Sequence, residues 1–93
     1  HALSSEDAGD LSSFVRDASI SESTPPVLFA HVEESWELLS EDRRREEVET
    51  LFATAEQRWG ARDGFLYRGD AVVAQHWDDR IVVFGSVHGE ASR

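Results

Sequence analysis

The sequence predicts a small two-layer α+β domain. A three- to four-stranded, largely antiparallel sheet packs on one main helix, residues 40–60. Three observations carry this expectation. Between Ser40 and Gly60 the apolar residues Val48, Leu51, Phe52, Ala55 and Trp59 recur at helical spacing and form one stripe. After Gly60 come three β-rich runs divided by turn signals at Gly69-Asp70 and Asp78-Asp79. The chain has 93 residues, enough for one small core and too few for two.

In chain order, residues 1–24 are rich in Ser, Asp and Glu and read as a flexible acidic arm, leaving residues 25–93 as the single folded domain. Only Leu11, Phe14, Val15 and Ala18 break the polarity of the arm, at helical spacing, as one amphipathic turn capped by Asp10 would. Pro25 and Pro26 then punctuate the chain. The apolar run Val27 to Val32 reads as a buried strand followed by a helical turn over Glu33 to Leu39. Phe29, Val32, Trp36 and Leu39 also lie at helical spacing, so the element order is β-α-β-β-β, or α-α-β-β-β if this run is helical.

The main helix has clear ends. The Ser40 hydroxyl suits an N-cap, Glu41 and Asp42 sit where the helix dipole favours negative charge, and Gly60 suits a left-handed C-cap. The strands follow at Phe65 to Tyr67, Ala71 to Trp77 and Arg80 to Val87. Ile81-Val82-Val83-Phe84 is apolar at every position and so calls for cover on both faces. One amphipathic helix covers one face only. Either residues 1–39 fold over the other, using Leu11, Phe14, Val15 and Trp36, or a second copy does. The expectation is a homodimer through the sheet.

Composition bounds the function. The net charge of −10 argues against nucleic acid and against contact with anionic membranes. All nine basic residues are Arg, and Lys, Asn, Met and Cys are absent, as a GC-rich genome or a salt-rich cytosol would favour. Without Cys there is no disulfide, thiolate chemistry or Cys-ligated metal. No apolar run approaches the roughly 20 residues that span a bilayer, and no signal peptide is visible, so this segment reads as soluble, with its compartment left open and the cytoplasm favoured. The first residue is His1 rather than Met, which suggests one domain of a larger protein.

Chemistry-bearing residues are few. Arg43-Arg44-Arg45 opposes the helix dipole, and Arg44 and Arg45 offer bidentate donors to a phosphate or carboxylate. The plainer account pairs them with Glu41, Glu47 and Glu49, or with Glu33, Glu34 and Glu37. The histidines His1, His31, His76 and His88 lack a recognised ligand spacing, so no metal or other cofactor is expected. No catalytic pair, nucleophile elbow or glycine-rich phosphate loop stands out, and no catalytic residue is assigned. Arg68-Gly69-Asp70 is explained by the needs of a hairpin turn. Trp59 reads as core, whereas Trp77, at a strand end beside His76, reads as partly exposed and available to a partner. The sequence therefore points to a non-enzymatic interaction or regulatory module whose partner is another protein or itself, with Arg44, Arg45, His76 and Trp77 as candidate contacts. The alternative is a small-ligand or anion sensor using the Arg43–Arg45 cluster.

Overall fold

The computed structural model describes residues 2–84; the end of the third predicted β-run and the histidines His1 and His88 lie outside them. The elements are α1 (Ser5–Leu11), β1 (Val15–Ile20), β2 (Val27–Val32), a 3-10 helix (Glu34–Leu38), α2 (Glu41–Trp59), β3 (Asp63–Arg68), β4 (Ala71–Trp77) and β5 (Arg80–Val83). The strands form one mixed sheet of five in the order β1-β2-β3-β4-β5. Only β2 and β3 run parallel, and the 3-10 helix and α2 make the crossover between them. The other three pairings are antiparallel.

The main helix forms where its sequence signals place it. Ser40 Oγ accepts from the Arg43 amide at 3.2 Å, and Gly60 closes the helix in the left-handed region at φ 72°. Val48, Leu51, Phe52 and Ala55 are buried along one stripe, with Trp59 half-buried at its end. β2 covers the expected run, and the segment after it is a 3-10 rather than an α turn.

Two expectations about the first layer are corrected. The sheet has five strands and not three or four, and two helices and not one lie on it. The extra strand and helix come from residues 5–20, the stretch read as a flexible arm. Ser4, not Asp10, caps α1, accepting from the Asp7 amide at 3.1 Å. Leu11, Phe14, Val15 and Ala18 mimic one helical face but straddle the end of α1 and the start of β1. A register shift between Val15 and Asp17 explains the disguise, because an extra residue breaks the two-residue period of a strand.

The core lies between the sheet and the two helices. Leu28, Leu51, Leu66 and Val48 are its largest fully buried side chains. α1 adds Ala8 and Leu11, and the 3-10 helix adds Trp36. Arg58 ties α1 to α2 through Asp10 (2.6 Å) and Asp7 (3.1 Å), and its guanidinium lies over the Trp59 ring. The hydrogen bond to Asp10, more than any other contact, raises the Arg58 pKa above its ordinary value.

Gly64 shows how closely α2 sits. A Cβ there would lie 2.7 Å from the Leu28 carbonyl oxygen and 2.8 Å from Phe52 Cε1. Only a residue without a side chain lets β3 pass beneath Phe52.

Candidate functional site

Cross-strand partners share a face, so the register fixes what each side of the sheet presents. On the side of α1 and α2 lie Leu28, Ala30, Leu66 and Ala74, each fully buried. Phe29, Phe65, Gln75 and Val82 are their register neighbours on the opposite side. None of these four is fully buried.

That opposite side carries an aromatic row. Phe29 stacks on Phe65 with ring centroids 6.0 Å apart, and Phe65 stacks on Trp77 at 5.9 Å. The rings cross three adjacent strands, β2, β3 and β4. Beside them His31 lies 5.5 Å from Tyr67, and its Nδ1 donates to Asp17 at 2.9 Å. Trp77 ends the row and is 49% exposed, one of three large hydrophobic side chains among the described residues to be so open. The others are Leu38 on the 3-10 helix and Phe84 just after β5.

No described residue covers this face. Leu11, Val15 and Trp36, named as possible cover, all join the core on the α2 side, and Phe14 packs against that same core. The outer edge of β1 is partly closed by residues 2–3: Ala2 bridges to Ser19, and the Leu3 amide donates to Ala18 at 2.9 Å. The outer edge of β5 has no strand neighbour among the described residues.

The remaining candidates part company. Arg44 is buried at 8% exposure. It donates to the carbonyls of Trp36 (3.2 Å) and Glu37 (3.1 Å) and lies over the Trp36 ring at 5.8 Å. It thus clasps the end of the 3-10 helix, where the Trp36 carbonyl also accepts from the Leu39 amide at 3.2 Å. Arg43 pairs with Glu47 at 3.0 Å. Arg45 is exposed and makes no ion pair with a described residue. The triplet therefore does not converge on one point. His76 faces α2 and not the open side. Its ring lies 5.6 Å from Phe52, and its Nδ1 donates to the Arg62 carbonyl at 2.5 Å. Its Nδ1 is also 3.6 Å from Asp63. Of the four named contacts, Trp77 alone lies on the aromatic face.

Among the described residues no three His, Asp or Glu side chains gather as metal ligands would. An open groove of about 630 Å³ is lined by Arg16, Val32, Glu33, Glu34, Ser35 and Arg68. Its arginines are already matched: Arg16 by Asp17, and Arg68 by Glu37 at 2.9 Å and Glu34 at 3.7 Å. The Arg68 Nε contact is ionic, since it lies outside hydrogen-bond geometry. No described helix is long and apolar enough to cross a membrane.

Sequence reasoning expected a second face in need of cover and named Trp77 as a contact, but not the other residues that make that face. Phe29 and Phe65 were hidden in short apolar runs whose partners in the sheet were unknown. The alternation Leu28, Phe29, Ala30, His31 was the available signal: small or aliphatic side chains alternate with aromatic or polar ones. Comparison of the chain with protein-family models, curated proteins and solved structures finds no match.

Proposed function

We propose that this protein is a non-enzymatic interaction module that binds a protein partner through the open aromatic face of its sheet. The observation that carries the reading is the uncovered row Phe29–Phe65–Trp77. Large rings left partly in water are costly to solvate and supply most of the energy at protein interfaces. A patch of this kind marks an interaction site. The acidic balance of the chain selects a protein surface over nucleic acid.

A photo-cross-linking residue placed at Gln75, in the middle of the face, tests this in extract from the source cells. The same residue at Thr50, exposed on α2, is the control. Cross-links are expected from position 75 and not from position 50. Equal labelling from both sites, or none from either, removes the reading.

A further inference from the structure

We propose that the occupant of the open face is a second copy of this chain, packed sheet against sheet. This rests on reading the face as an interaction surface and names its partner. Three observations single out a second copy.

The first is elimination among the described residues. The apolar residues of the first 39 positions that offered cover all pack on the α2 side.

The second is charge. The chain carries −10 overall, yet the open face is nearly neutral. Register places Asp17, already bonded to His31, toward one edge, Arg80 at the other and Asp63 across from Trp77, 3.6 Å from His76, with Phe29, Phe65, Gln75 and Val82 between. Most of the acidic excess lies on the helical elements: α1 carries Glu6, Asp7 and Asp10 with no basic residue, the 3-10 helix carries Glu34 and Glu37, and α2 carries six carboxylates against four Arg. A strongly basic partner would find little on the face to pair with. A copy of the same neutral face meets no like-charge penalty.

The third is distance. Sheets packed face to face lie about 10 Å apart, and a helix layer adds about 10 Å more on each side. Two acidic helical layers would then sit on opposite outer surfaces, about 30 Å from each other. Charges that far apart are screened at physiological ionic strength, where the Debye length is about 8 Å. Face-to-face pairing therefore keeps the repulsive surfaces apart, and salt strengthens it as ionic strength rises from about 0.01 M, where the Debye length is about 30 Å, to physiological levels. The half-exposed ring of Trp77 is the anchor. In a two-fold assembly it is used twice.

Sedimentation velocity of the full chain decides the matter, run from low to high protein concentration and from low to high salt. The expected result is a dimer that tightens with salt. Trp77→Glu and Gln75→Arg each place two charges in the symmetric interface and should weaken it at least about 100-fold, since each disturbed contact counts twice. Circular dichroism checks that the variants fold. If Trp77→Glu does not fold, Gln75→Arg, which replaces a residue already polar, decides alone. A dimer unmoved by the folded variants is built through another surface, the β5 edge first among them, and overturns the proposal. A wild-type monomer under every condition also overturns it. In that case cross-links from position 75 to a different protein would leave the interaction reading standing, and their absence would remove both.

Discussion

The two faces of the sheet are made by the same strands and carry different side chains. On the α2 side the central positions are small or aliphatic: Ala30, Gly64, Leu66 and Ala74. On the open side the same rows hold Phe29 and Phe65, with Trp77 beside them. A helix can approach a sheet closely only where the strands present little bulk, and Gly64 under Phe52 is the extreme of that rule. Aromatic rings on the open side shelter one another by stacking but leave surface for something else. Burial by a helix and burial by a partner thus require different residues, and the alternation along each strand supplies both.

The sharpest way to break this comparison is to truncate one aromatic on each face. Phe52→Ala removes a buried ring and should cost about 3–5 kcal/mol, which threatens the folding of a domain this small. Phe65→Ala removes a half-buried ring in contact with two other rings and should cost about 1–2 kcal/mol. Chemical denaturation of the two variants beside wild type measures both. Equal losses would mean that the open face is as fully packed as the other.

Gly64→Ala sharpens the close approach. Its added methyl meets the Leu28 backbone as well as the tip of Phe52, and backbone cannot step aside cheaply. We expect a loss of about 1–3 kcal/mol, typical of an overpacked core, read as a lower denaturation midpoint at unchanged slope. A neutral result would place α2 farther from β3 than its contacts imply.

How much of this was legible in the sequence differs between the two faces. The covered face was read through its helix. Ser40, Gly60 and the stripe from Val48 to Trp59 are local signals, and local signals survive without knowledge of the fold. The Asp78-Asp79 turn was legible for the same reason; both turn residues take positive φ, which Asp tolerates. β2 was legible only as one of two readings, because Phe29, Val32, Trp36 and Leu39 also fall at helical spacing. The strand β1 was not, because its register shift hides the two-residue period. Arg44 was read as a ligand contact because sequence shows its charge but not the carbonyls of Trp36 and Glu37 that it meets. The open face was inferred as a need and not as a list, since the order of the strands decides which residues become neighbours.

Arg44 tests the layer that holds the covered face in place. Arg44→Met keeps the length of the side chain and removes its donors. Hydrogen bonds from charged groups are worth about 1.5–3 kcal/mol, so a loss in that range is expected if the clasp dominates. Burying a cation without a carboxylate has its own desolvation penalty, which the substitution relieves. A neutral or more stable variant would show that this penalty cancels the clasp.

The smallest expected effect belongs to the neighbour, Arg45, and it bears on the alternative of an anion sensor. Arg45 is exposed on α2, away from both the core and the aromatic row. Its two neighbours are engaged elsewhere, Arg43 with Glu47 and Arg44 with backbone carbonyls. A single exposed guanidinium close to Glu41, Asp42, Glu46 and Glu49 has little net positive field to offer a phosphate. Arg45→Gln should therefore change stability by no more than about 0.5 kcal/mol, as surface substitutions usually do. Titration with inorganic phosphate should raise the melting temperature of wild type and variant by the same small amount, because a ligand stabilises only in proportion to its binding. A saturable rise in wild type that disappears in Arg45→Gln would locate an anion site on α2, and would move the functional weight of the molecule from its open face to its helical one.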